Sequence, residues 1–106
     1  MSISRAERLL NVLDLKQIEE NLYLGENEPE NGARIFGGQV LAQASMAAYR
    51  TVFDLDMHST HAYFLRPGDS SKQVLYEVER IRDGRSFTTR RVVAIQSGQA
   101  IFNMDI

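Results

Sequence analysis

The stretch from Phe36 to Val52 constrains the fold more than any other part of the chain. Gly37 and Gly38 open it, and about 14 residues follow without proline or glycine and with many strong helix formers. At about 100° per residue, Val40, Leu41, Ala44, Ala47, Ala48, Thr51 and Val52 share one broad apolar arc. Gln39, Gln43 and Arg50 fall on a narrow polar stripe, with Met46 among them. A helix that is apolar over most of its circumference has to be covered by other elements, and small side chains let a second layer approach closely. The pattern predicts one buried helix ending near Phe53.

The remainder of the chain supplies the cover. Ser4 to Glu7 has capping-box spacing and predicts a helix over Arg5 to Leu13, and Asp14 to Gln17 repeats the cap pattern before a second, weaker turn. Leu22 to Leu24 reads as a strand ending at Gly25. Glu26 to Ala33 is acidic, carries Pro29 and Gly32, and reads as a loop; Arg34 to Phe36 reads as an extended entry to the helix. Beyond the helix the pattern is that of strands. His58 to Leu65 is rich in aromatics and stops at the turn Arg66-Pro67-Gly68-Asp69. Lys72 to Arg82 follows. Asp83-Gly84 is a two-residue hairpin signal, Ser86 to Gln96 the return strand, Ser97-Gly98 a second such turn, and Gln99 to Ile106 the last strand.

Two-residue turns would fix the register. Val78 would lie opposite Thr89, Tyr76 opposite Arg91, and Val93 between Val74 and Phe102. One face would then collect Val74, Tyr76, Val78, Phe87, Val93, Ile95, Ala100, Phe102 and Met104 toward the helix. The other would put Glu77 opposite Arg90 and Arg90 opposite Asp105, pairs that contribute roughly 0.2–1 kcal/mol each. A helix of about 16 residues is about 24 Å long and strands of 8 to 11 residues run about 27–37 Å, so a curled antiparallel meander can wrap it. The fold class is α+β, in a single domain spanning 1-106. The second sheet face and the free edges call for a partner subunit.

Composition narrows the function classes. The chain has 106 residues, a net charge of -2 and a pI of about 5.6, so it lacks the global basic signature of a nucleic-acid binder. Without cysteine there is no disulfide, thiolate metal site or cysteine nucleophile. The sequence shows no membrane-length apolar run and no signal-peptide core, which leaves a cytosolic or organellar setting as the expectation.

Four segments together resemble acyl-CoA thioesterase II. They are Phe36-Gly-Gly-Gln-Val-Leu-Ala-Gln-Ala44, His58-Ser-Thr-His-Ala-Tyr-Phe-Leu-Arg-Pro-Gly-Asp69, Tyr76-Glu-Val-Glu-Arg-Ile-Arg-Asp-Gly-Arg-Ser-Phe87 and Arg90-Arg-Val-Val-Ala-Ile-Gln96. The match runs in order from about Leu9 to Ile106. It implies the hotdog fold, a central helix wrapped by a curled antiparallel sheet. It further implies a double hotdog nearly three times as long, of which this chain looks like the N-terminal hotdog. In that family the Asp, Thr and Gln that activate water lie in the second hotdog, and no position here receives them. The resemblance also implies a fatty acyl-CoA substrate, hydrolysis to free acid and coenzyme A, no cofactor, and a cytoplasmic location, peroxisomal in a eukaryote.

The candidate site residues follow. A thioesterase needs donors for an oxyanion, and the backbone N–H groups of Gly37, Gly38 and Gln39 at a helix N-terminus can supply them. The alternative is that the glycines serve close packing. The helix carries no Asp or Glu to act as base. The two histidines, His58 and His61, are three apart on a predicted strand and should face opposite sides, which makes a poor metal site. His58 matches a histidine implicated in the family and is the candidate base; the alternative is a hydrogen-bonded structural residue. Arg80, Arg82, Arg85, Arg90 and Arg91 crowd the Asp83-Gly84 turn, either to contact coenzyme A phosphates or as a solvated strand end containing the Glu77–Arg90 pair. Two rival functions stand beside hydrolysis: a non-catalytic acyl-CoA binding or assembly module, and a hydratase using Asp54 to His58. The expected partners are acyl-CoA and a second hotdog, in a homo-oligomer or in a longer chain.

Overall fold

The computed structural model describes residues 5–26, 37–53, 55–69 and 71–106. In chain order the elements are α1 (Arg5–Leu13), β1 (Lys16–Glu19), β2 (Leu22–Gly25), α2 (Gly37–Tyr49), β3 (His61–Phe64), β4 (Val74–Asp83), β5 (Thr88–Gln96) and β6 (Gln99–Asp105). The strands form one antiparallel sheet in the order β1-β2-β4-β5-β6-β3. This is the α+β hotdog arrangement expected from the sequence. Arg34 to Phe36 lies outside the described residues, as does most of the Glu26 to Ala33 loop.

α2 packs on β5, β4 and β2, and α1 packs against α2. Ala44, Ala47 and Ala48 are buried, which lets the helix sit close to Tyr76, Val92, Phe102 and Met104. Burying each large apolar side chain of this layer contributes about 1.5–3 kcal/mol. The polar stripe is buried too where it meets other elements. Gln43 is fully enclosed. Its Nε2 donates to the carbonyls of Val12 at 2.8 Å and Glu26 at 2.9 Å, and its Oε1 accepts from Tyr76 Oη at 2.6 Å. That one amide ties α1, β2, α2 and β4 together. Burial holds the Tyr76 hydroxyl far above the ordinary phenol range, so it stays a donor. Gly25 is required beside this knot, because a Cβ there would stand 2.6 Å from Gln43 Oε1.

α2 is shorter than the expected span to Phe53. Thr51 N and Val52 N donate to Ala48 O and Tyr49 O in tightened i→i−3 bonds, and Thr51 Oγ1 donates to Ala48 O at 2.7 Å. These bonds satisfy the last carbonyls and close the helix. The second turn expected at Asp14 to Gln17 is absent. Leu15 is buried and the chain enters β1, pairing Lys16 with Leu24 and Gln17 with Tyr23.

The two hairpins behaved differently from one another. Ser97-Gly98 is the two-residue turn expected, with Gln96 opposite Gln99 and φ of 51° and 73°, both positive as a primed turn requires. Asp83-Gly84 is not. Asp83 pairs with Thr88, so the loop has four residues, Gly84 to Phe87, closed by Gly84 N donating to Phe87 O at 2.8 Å. A Cβ on Gly84 would stand 2.7 Å from that same carbonyl, so the close turn needs glycine. The four-residue slip alone would preserve the faces. A bulge between Arg80 and Arg82 then shifts the pairing by one and exchanges them.

The expected register is therefore corrected. Val78 pairs with Val92, Tyr76 with Ala94, and Glu77 with Val93. A second bulge, at Ile101, pairs Arg91 rather than Arg90 with Asp105. Glu77 and Arg90 lie on opposite faces. Arg90, Val92, Ala94 and Gln96 face the helix, while Val93 and Ile95 face outward and Phe87 is exposed in the loop.

Candidate functional site

α2 has a cleft at each end. Its first turn, Gly37 and Val40, lines a cleft of about 370 Å³ with Phe64, Leu65, Arg66 and Phe102. The first-turn N–H groups of a helix have no intrahelical partner and carry the positive end of its dipole, so they can hold a developing oxyanion. Gly38 is exposed, Gly37 half-buried and Gln39 buried. A Cβ on Gly37 would come 3.2 Å from the Phe64 ring, so this glycine also serves close packing against β3.

The wall of this cleft is held by a buried amide. Gln96 is 7 % exposed. Its Oε1 accepts from Asp69 N at 2.8 Å, and its Nε2 donates to Asp69 O at 2.9 Å and Lys72 O at 3.1 Å. These bonds fix the Arg66 to Asp69 turn, and Arg66 Nη1 adds a bond to Ala100 O. The carboxyl of Asp69 is held below the ordinary carboxylate range by the Ser71 hydroxyl and then the Ser71 amide.

The second cleft, about 360 Å³, lies at the C-terminal end of α2 against Ala48, Tyr49 and Val52. His58 and His61 both line it, with Asp56, Asp105 and Phe87. The expectation that the two histidines face apart is corrected: the strand begins at His61, so His58 precedes the alternation and turns into the same cleft. The His58 ring meets Phe87 edge-on, with centroids 5.7 Å apart and planes at 83°. Among the described residues no cluster of three or more His, Asp or Glu could hold a metal ion.

Within one chain, then, His58 and the Gly37 end of α2 lie apart by the length of the helix, about 20 Å for 13 residues. β3 connects the two clefts: His61 at its start lines one, Phe64 at its end lines the other. β3 is also a sheet edge, and Tyr63 and Phe64 are 64 % and 60 % exposed on it.

The five arginines separate into different roles. Arg90 is 2 % exposed and donates to Thr51 Oγ1, Thr51 O and Asp83 Oδ1. Sequence reasoning missed this buried guanidinium because it placed Arg90 on the outer face. Arg91 is the outer residue, paired with Asp105 at 2.9 Å. Arg80 bonds Asn21 Oδ1 at 2.9 Å and lies 3.8 Å from Glu20. Arg82 and Arg85 make no ion pair among the described residues.

No helix among the described residues is long and apolar enough to cross a membrane. A family model described as the acyl-CoA thioesterase N-terminal domain matches residues 27–105. The mouse protein named acyl-coenzyme A thioesterase 8 is 46 % identical over 100 residues, covering 92 % of this chain and 31 % of the relative. Acyl-CoA thioesterase 2 of Haemophilus influenzae is 43 % identical over 94 residues, covering 88 % and 33 %. The solved tesB protein of Mycobacterium avium subspecies paratuberculosis superposes with a TM-score of 0.92 at 37 % identity, covering 96 % of this chain and 41 % of that one. The chain spans about a third of the length of the curated relatives it matches. Helix, sheet order, motif blocks and these likenesses agree: the chain belongs to the acyl-CoA thioesterase N-terminal domain family.

Proposed function

We propose that this chain is the first hotdog of an acyl-CoA thioesterase and that its working site forms when a second hotdog lies against β3. The observation that carries the reading is the placement of β3, a free edge running from the His58 cleft to the Gly37 cleft. Antiparallel pairing of such an edge about a two-fold, or pseudo-two-fold, axis sets the start of one β3 against the end of the other. The His58 cleft of this chain then faces the helix N-terminus of the second hotdog.

The chemistry follows from that pairing. Water attacks the thioester carbonyl, a C–O bond forms, and the oxyanion is held by first-turn N–H groups of α2. Collapse breaks the C–S bond, and the coenzyme A sulfur leaves and takes a proton. α2 has no carboxylate, so His58 and groups of the second hotdog take the proton from water. Val52, Leu55 and Phe87 supply an apolar wall beside His58. The reading brings with it the cytoplasmic setting, or the peroxisome of a eukaryote, that the resemblance implies.

A second reading is a non-catalytic acyl-CoA binding module, and the lack of any acidic residue on α2 favours it for the chain by itself. Joining a second hotdog behind Ile106 and assaying thiol release from fatty acyl-CoA, with hydration of enoyl-CoA in parallel, separates the readings. The expected result is thiol release alone. Tight acyl-CoA binding without turnover would establish the binding module, and hydration would establish a hydratase.

A further inference from the structure

We propose that the groove beside His58 continues into a site for the phosphorylated adenosine end of coenzyme A, with Arg85 as its phosphate ligand and Phe53 as its stacking surface. This rests on the thioesterase reading and assigns the direction in which the substrate lies. The His58 cleft has a neighbour of about 530 Å³ under the β4–β5 loop, and the two share Val52, Leu55, Thr88 and Arg90 as a common wall. The far side of this second hollow is formed by Arg80, Asp83, Gly84, Arg85 and Phe53.

Among the described residues the charge balance there is uneven. Asp83 is engaged by Arg90 at 2.7 Å, and Arg80 is shared with Glu20 and Asn21. Arg85 has no ionic partner among the described residues. Arg82 Nε lies 3.5 Å from where a Cβ on Gly84 would stand, so a second guanidinium rests over the same turn. The turn itself is fixed by the Gly84 N to Phe87 O bond, which gives Arg85 a defined base from which to reach.

The aromatic component separates a nucleotide from a bare phosphate. Phe53 is 84 % exposed at the mouth of this hollow, and a purine has a face for it to cover. The thiol end of the same ligand then runs over the shared wall to His58.

The test is titration of the chain with coenzyme A, adenosine 3′,5′-bisphosphate, pantetheine and inorganic pyrophosphate. Arg85→Ala should weaken the first two about tenfold, the effect of one charge-assisted bond, and leave pantetheine unchanged. Phe53→Ala should weaken the nucleotide about fivefold or more. Arg91→Ala removes the same charge from the outer face and should change nothing. The proposal is overturned if Arg85→Ala stays within about twofold of the parent, if Arg91→Ala costs as much, or if pyrophosphate competes as well as the nucleotide. The thioesterase reading fails on a different readout, the absence of hydrolysis in the paired protein while nucleotide binding is intact.

Discussion

Replacing Arg90 by methionine removes a guanidinium from the inner face of β5, where its side chain is 3 % exposed. Its bonds are not equivalent. Asp83 is 60 % exposed and is rehydrated when the arginine goes, so losing that pair costs under about 1 kcal/mol. Thr51 is 3 % exposed, and its hydroxyl and carbonyl lose partners at 2.7 and 3.0 Å. Each buried acceptor left dry costs about 1–3 kcal/mol. Methionine returns part of this through apolar burial, about 1–2 kcal/mol. Apolar replacement of a whole buried ion pair is often neutral, but here the threonine acceptors stay behind. Arg90→Met should therefore destabilise by about 2–3 kcal/mol, and Asp83→Asn by less than about 1 kcal/mol. Urea unfolding checks this as a lowered midpoint at unchanged slope. An Arg90→Met midpoint equal to the parent, or an Asp83→Asn loss as large as that of Arg90→Met, would refute the assignment of Thr51 as the dominant partner.

Gln43→Leu should cost about 3 kcal/mol by orphaning the Tyr76 hydroxyl and two carbonyls, and Tyr76→Phe in that background should recover about 1 kcal/mol; additive losses would show that the pair is not coupled. The Asp69 carboxyl is depressed in the fold, so its contribution is present above the unfolded value and lost as pH falls through the lowered folded one. Asp69→Asn should flatten the acid limb of stability in that window, and an unchanged limb by urea midpoint against pH would sink the point. The chain should be at least a dimer at micromolar concentration by light scattering, and Phe64→Asp on the β3 edge should shift it to monomer. A parent chain that is already monomeric would contradict the edge pairing.

The legible parts of the fold were those where one local rule had no competitor. The capping-box spacing in the sequence placed the start of α1, Gly37 and the alanines framed α2, and Ser97-Gly98 set a primed turn. The β4–β5 register was hidden for a physical reason. Val92 to Ile95 is apolar at every position, so alternation there favours neither face, and the register rested on a two-residue turn at Asp83-Gly84 that the longer loop and the bulge between Arg80 and Arg82 replace. Arg90 would have signalled the error only if a buried arginine had been weighed against the Thr51 carbonyl that needs it. His58 was legible as a cleft residue by motif. Its company, His61 and Phe87 with no α2 N-terminus near, depends on where β3 begins, and strand ends are poorly marked in an aromatic-rich run.

The most direct test of the account is the rate at which the isolated 106-residue chain hydrolyses fatty acyl-CoA. With no carboxylate on α2 and without the groups of the second hotdog that help take the proton from water, turnover should fall about 10²–10⁴-fold below an ordinary enzyme rate of about 10 s⁻¹. Joining the second hotdog should restore that rate, and His58→Ala should lower it again. Ordinary turnover by the isolated chain, unchanged in His58→Ala, would contradict both the split site and the role given to His58.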